Sequence, residues 1–180
     1  MIKIRELPGL QEIKTLSKHN RGVRQLVFSP DDRYFISVGD DSQIVIWETA
    51  SLSEVKSISN PPYEVQTVSF SPDGKLIAFG GTDRIAHIWD WRESKEVTAL
   101  EGHSATIKTL AFSMDGKRLV TGDEDGNLKF WDYETGLEIS TLTDHKALIS
   151  RTVFSRNGLV MATSAYDYTV KLWKSFPVSY

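Results

Sequence analysis

Short runs of alternating apolar and polar residues, broken at regular intervals by turn residues, fill the chain. Val23–Phe28 leads into Ser29-Pro30-Asp31-Asp32, then Tyr34–Gly39, a tight turn through Asp40-Asp41-Ser42, and Ile44–Glu48. Period-two patterning of this length predicts strands, and no stretch with a helical period competes with it. Pro at the second turn position presets φ, and Asp or Gly after it tolerates the left-handed backbone. The pattern therefore predicts an all-β chain built of hairpins.

The pattern recurs with one period. Trp47, Trp89, Trp131 and Trp173 are 42 residues apart, and Phe28, Phe70, Phe112 and Phe154 keep the same register. So do Asp41, Asp83, Asp125 and Asp167. The turn returns as Ser71-Pro72-Asp73-Gly74, Ser113-Met114-Asp115-Gly116 and Ser155-Arg156-Asn157-Gly158. A complete repeat supplies four strands, the fourth read from KEVTAL (95–100) and LEISTL (137–142). LQEIKTL (10–16) matches those two, and is read as the outer strand of a blade whose other strands lie elsewhere. Ahead of it Ile2 and Ile4 alternate like a strand that Pro8-Gly9 stops. The last repeat runs to Trp173 without a fourth strand.

Charge and composition narrow the function. A net charge of −3, with basic residues scattered among acidic ones, makes nucleic acid a poor partner, because phosphate binding needs concentrated Lys and Arg. With no cysteine, neither a disulfide framework nor a thiolate metal site is available. No apolar run approaches a bilayer span or a signal-peptide core, so no membrane association is expected and a cytoplasmic location is.

A 42-residue repeat with a Gly-His, a Ser-Pro-Asp-Gly-like turn and a Trp-Asp ending resembles the WD40 family of β-propellers. The resemblance implies one repeat domain over residues 1–180, with repeats at about 10–52, 53–94, 95–136 and 137–180 building blades of four antiparallel strands. It also implies a hydrogen-bonded network of His, hydroxyl, Asp and Trp in each complete blade. These are His19, Ser37, Asp41 and Trp47; His103, Thr121, Asp125 and Trp131; and His145, Thr163, Asp167 and Trp173. A Ser, His and Asp set also fits a nucleophilic triad. Three copies at a fixed period favour a structural device, since a catalytic site is made once. A metal shared by the three histidines is not expected either, since each belongs to a different blade. The second repeat retains only Asp83 and Trp89, with Pro61 at the His position and Phe79 at the hydroxyl position. His87 is read as a packed strand residue and Trp91 as packing at the outer edge.

The resemblance further implies a ligand-binding face where the loops before the first strands meet the turns preceding the network aspartates. Gly22, Glu64, Thr106 and Leu148 stand there, with Arg24, Gln66, Lys108 and Ser150 two residues on and Asp40, Thr82, Glu124 and Tyr166 opposite. Mixed charge with one Tyr suits a polar peptide. The expected function is a non-catalytic scaffold binding a peptide or protein on this face, with no cofactor or metal. A piece of a larger propeller with a regulatory role and an enzyme sited in the central channel are the alternatives. Four blades with two open edges leave three assemblies to consider: a two-fold homodimer closing eight blades, a self-closed ring of four, and part of a larger propeller.

Overall fold

The computed structural model describes residues 1–58 and 62–174, and the described residues form antiparallel strands and turns. The first two strands, β1 (Ile2–Arg5) and β2 (Glu12–Leu16), make a two-stranded sheet. Blade one is β3 (Val23–Phe28), β4 (Tyr34–Gly39), β5 (Ile44–Glu48) and β6 (Ser53–Ile58), paired in that order. Blade two is β7 (Val65–Phe70), β8 (Leu76–Gly81), β9 (Ala86–Asp90) and β10 (Lys95–Leu100). Blade three is β11 (Ile107–Phe112), β12 (Leu119–Asp123), β13 (Leu128–Asp132) and β14 (Leu137–Leu142). Blade four shows β15 (Ile149–Phe154), β16 (Val160–Ala165) and β17 (Val170–Lys174). The four sheets are the blades of a propeller whose first strands stand side by side, β3 on β7, β7 on β11 and β11 on β15.

The hairpin turns form through one side chain each. In all four, the Ser hydroxyl donates to the Asp or Asn two residues on, at 2.6 to 2.8 Å, and accepts the amide N–H five residues on. The fourth turn residue, Asp32, Gly74, Gly116 or Gly158, has a φ of +57° to +70°. Both sides of the turn are thereby tied to the serine, and the register of each first pair of strands is fixed.

Apolar burial lies between the blades. Ile36, Val38, Ile44 and Ile46 of blade one pack on Val65, Val68, Phe70, Ile77 and Phe79 of blade two. Ala78, Ala86, Ile88 and Leu100 meet Ile107, Leu110, Phe112 and Leu119 at the next junction. Val120 and Leu128 meet Ile149 and Met161 at the last. Each Ile or Leu fully buried in this way contributes roughly 1.5–3 kcal/mol relative to exposure, so the blades hold one another rather than standing alone.

Two expectations are corrected here. Residues 10–16 do not contribute a solitary outer strand, because β1 pairs with β2 in the register Ile2↔Leu16, Lys3↔Thr15, Ile4↔Lys14. The cause is legible in the 42-residue period: Ile2 and Ile4 precede Ile44 and Ile46 by one repeat, so β1 is a third strand to β2's fourth. Ile2 and Leu16 then bury against Phe35, Val45 and Trp47 of blade one. Trp91 is not an outer-edge residue either. It lies in the junction between blades one and two, edge-on to Tyr34 with ring centroids 5.0 Å apart, and its indole donates to the Gly74 carbonyl at 3.1 Å. Tyr133 repeats the device one blade on, its hydroxyl donating to the Gly116 carbonyl at 2.6 Å.

Candidate functional site: buried relays and the loop face

In blade one Trp47 Nε1 donates to Ser37 Oγ at 2.9 Å, Ser37 Oγ lies 2.7 Å from His19 Nε2, and His19 Nδ1 lies 2.9 Å from Asp41 Oδ1. Every group finds a partner if the neutral imidazole carries its proton on Nδ1 and accepts the Ser37 hydroxyl at Nε2. Blade four matches: Trp173 donates to Thr163 at 2.9 Å, and His145 lies 2.8 Å from both Thr163 Oγ1 and Asp167 Oδ2. The order Asp, His, hydroxyl is that of a nucleophilic triad. Its chemistry is blocked, since Ser37 and Thr121 have no exposed surface and an indole N–H occupies the hydroxyl oxygen in blades one, three and four. Such an arrangement fixes a loop to its strands and leaves no nucleophile for a substrate.

Blade three corrects the sequence reading of Asp125. His103 Nε2 lies 2.6 Å from Thr121 Oγ1, which accepts the Trp131 indole at 2.8 Å, but His103 Nδ1 lies 2.8 Å from Asp123 Oδ2. Asp125 is exposed, and only its backbone N–H joins in, donating to Asp123 Oδ1 at 3.1 Å. The reason lies at the position that is Gly39 in blade one. A Cβ there would sit 2.7 Å from His19 Nδ1 and 2.8 Å from Asp41 Oδ1. Blade three places Asp123 at that point, so a carboxylate reaches the ring from the strand itself. Asn127 completes it, donating through its amide to Asp123 Oδ2 at 3.0 Å and through its backbone to Oδ1 at 2.8 Å. Burial pushes the Asp123 carboxyl up, but hydrogen bonds from His103 and Asn127 outweigh burial and hold it below the usual range.

Blade two builds a different relay, one the sequence reading missed. Pro61 lies outside the described residues. Phe79 fills the hydroxyl position, and the Trp89 indole nitrogen is buried with no hydrogen-bond partner among the described residues. Asp83 keeps a histidine all the same, because His87 Nε2 lies 2.8 Å from Asp83 Oδ2 and its Nδ1 2.5 Å from Glu96 Oε1. The imidazole is sandwiched between Tyr63 and Phe79, each with its ring centroid 5.3 Å away and nearly parallel. Both ring nitrogens are engaged with different carboxylates, so the three groups do not converge on a common point for an ion. The signal was present: a His 42 residues before Lys129, with a Glu nine residues after each.

A pH dependence follows. Burial lowers the His87 pKa, but the hydrogen bonds and charges of Asp83 and Glu96 prevail and raise it above the ordinary 6.5. A raised histidine pKa contributes stability that is fully present below the unfolded value and is lost as pH rises through the folded one. Thermal melts at several pH values above 6.5 should therefore show the wild-type chain losing stability relative to His87→Gln, and parallel curves would refute this.

On the loop face, four backbone bonds repeat. The N–H groups of Asp40, Thr82, Glu124 and Tyr166 donate to the carbonyls of Gly22, Glu64, Thr106 and Leu148 at 2.8 to 3.1 Å. The residues that sequence reasoning grouped are thus brought to one end of the blades. Arg24 pairs with Asp40 and donates to Gln66 Oε1 at 3.0 Å, joining blades one and two, and Gln66 donates to Glu64 at 3.2 Å. Lys108 pairs with Glu124 at 3.4 Å, Thr82 Oγ1 accepts the Glu64 N–H at 3.0 Å, and Ser150 lies against Ser164. Tyr166 projects from this end with 69% of its surface exposed. At the opposite end Val27, Phe28, Phe70, Phe112 and Met114 line an apolar hollow of about 280 Å³, which sequence reasoning did not foresee. Between the ends, the hollow of about 240 Å³ along the first strands carries one ionisable side chain, Arg151.

The same repeats occur in known proteins. A family model described as "WD domain, G-beta repeat" (WD40) matches residues 10–48, 53–90, 94–132 and 136–174. Over 40 residues the chain is 45% identical to polyadenylation factor subunit 2 of Candida albicans, and over 48 residues 42% identical to DDB1- and CUL4-associated factor 13 of Dictyostelium discoideum. Over 36 residues it is 56% identical to nuclear distribution protein PAC1-1 of Uncinocarpus reesii. These matches span 22%, 27% and 20% of this chain but only 7%, 11% and 8% of those proteins. The solved structure titled "Structure of U3-55K" superposes with a TM-score of 0.82 at 25% identity, over 90% of this chain and 51% of that one.

Proposed function

The chain belongs to the WD40 family, and from that premise we propose that it is a non-catalytic scaffold whose loop face binds a protein or peptide. The observation that carries this reading is the division of its polar groups. Inside blades one, three and four, hydroxyls and imidazoles are consumed by one another, whereas the loop face gathers Arg24, Glu64, Lys108 and Glu124, joined in ion pairs at the rim, around an exposed Tyr166. Interfaces favour an exposed Tyr or Arg among mixed charges, and such charges set encounter rate and specificity. The names of the relatives, a polyadenylation factor subunit and a DDB1- and CUL4-associated factor, are those of components of assemblies and support the same class.

Capture of partners on the immobilised chain, followed by hydrogen-exchange footprinting, tests the reading. Protection is expected around Arg24, Lys108 and Tyr166. Lys108→Ala and Tyr166→Ala should each weaken a captured partner about ten-fold while melting as the wild type does. Arg24 is better changed to Ala, because Glu there would face Asp40 and Glu64. Protection confined to Phe28 and Met114 would move the site to the apolar end and overturn the proposal.

A further inference from the structure

The row of blades ends on two surfaces that are unfinished in complementary ways. Val170 and Leu172 of β17 stand one repeat after Leu128 and Phe130, which pack into the junction between blades three and four, yet they are 68% and 65% exposed. At the other end Leu26 and Phe28 are 47% and 58% exposed, although Val68 and Phe70 one repeat later are buried. Both end surfaces thus carry the residue types that bury between blades elsewhere in the molecule. Both face solvent, so within one chain they do not meet.

The strand edges match as well. Among the described residues β17 has no partner on its outer edge, where the other three blades hold a fourth strand. β2 is a fourth strand, and β1 occupies its edge in the register of β13 on β14, with Ile2↔Leu16 standing for Leu128↔Leu142 and Lys3↔Thr15 for Lys129↔Thr141. In blade three Lys129 Nζ donates to Glu138 at 2.7 Å and to Thr141 at 2.9 Å. β2 offers the same pair as Glu12 and Thr15, where Glu12 now receives Lys3 and the Thr15 hydroxyl donates to Glu12. β17 carries the corresponding lysine, Lys171, which donates to the Asp144 carbonyl and has no carboxylate among the described residues. Next to it β17 brings Trp173, where β1 brings Arg5.

We propose that β17 of a second copy displaces β1 from the edge of β2. The second copy's Lys171 then meets Glu12 and Thr15, and its exposed apolar face stacks on Leu26 and Phe28 of blade one. Each copy donates to and accepts from the other, so two rows of four blades close about a two-fold axis into a ring of eight. Strand exchange of this kind is a low-cost route to a dimer, because each new pairing replaces an existing one.

The test uses the full chain, which has no cysteine of its own. Thr15→Cys with Lys171→Cys places the two thiols on directly paired positions, where Cβ atoms lie within disulfide reach. After mild oxidation, non-reducing electrophoresis should show a cross-linked dimer, and light scattering of the wild type should give twice the 20.3 kDa of one chain. Glu12→Lys should reduce association at least ten-fold, and Glu12→Lys with Lys171→Glu should restore it. A disulfide joining positions 15 and 171 of the same chain would overturn the proposal in favour of a self-closed ring. A monomeric mass with no cross-link, in variants that melt like the wild type, would overturn it in favour of β1 as the permanent partner of β2. If the double-thiol variant fails to fold, the charge exchange decides alone, since a double variant no better than Glu12→Lys is incompatible with the pairing.

Discussion

Asp123→Ala is expected to destabilise the chain by about 3 kcal/mol, whereas Asp125→Ala changes it by less than about 0.5 kcal/mol. The contrast is useful because the 42-residue period places Asp125, not Asp123, beside Asp41 and Asp167. Asp123 is fully buried and receives His103, the Asn127 amide and two backbone N–H groups, so its removal leaves several buried donors unpaired. Asp125 offers its carboxylate to solvent. Urea titrations of the two variants measure the difference directly, and equal losses would return the network role to Asp125. The sign of the acid response follows from the depressed Asp123 pKa. Its contribution is present above the unfolded value of about 3.8 and lost as pH falls through the folded one, so Asp123→Ala should also blunt acid denaturation.

The same substitution at two tryptophans should give unequal results. Trp131→Phe is expected to cost about 3 kcal/mol, combining a lost buried hydrogen bond to Thr121 with lost packing against blade two. Trp89→Phe should cost less than about 1 kcal/mol, because its buried indole N–H has no acceptor among the described residues and Phe removes that unpaired donor. Thermal melts of the two single variants suffice. Similar losses would mean that the indole hydrogen bond contributes little and that ring packing alone sets the value.

The blades were legible in the sequence because one turn device, Ser followed by Asp or Asn and then a left-handed residue, is written four times. The family resemblance implied the networks of blades one and four, where Asp41 and Asp167 reach the imidazole from the turn. Position failed at Asp125, since a period aligns residues while a hydrogen bond depends on which Cβ lies nearest the ring. The substitution of Asp123 for Gly39 and Gly81 was the available clue. His87 was hidden for a related reason: blade two moved its imidazole from the loop to a strand, so no alignment on His19 finds it. Trp91 looked peripheral because burial at a blade junction depends on the neighbouring blade, which local alternation does not report. β1 was visible in the alternation of Ile2 and Ile4, but its pairing with β2 emerges only when the period is carried one step upstream of Ile44.

The two ends of the blades are tied by different kinds of atoms. At the hairpin end each turn is held by a serine side chain, so changing that residue loosens the turn. At the loop face the tie runs from an amide N–H to a carbonyl, between residue pairs as unlike as Gly22 with Asp40 and Leu148 with Tyr166. A bond that ignores side-chain identity leaves seven neighbouring positions open to randomisation: 24, 66, 108 and 150 on the strands, and 40, 124 and 166 on the turns, with Thr82 kept because its hydroxyl accepts the Glu64 N–H. The chain is in this sense a ready chassis for a display library, in which recognition can be rewritten at one end while the other keeps the blades in register.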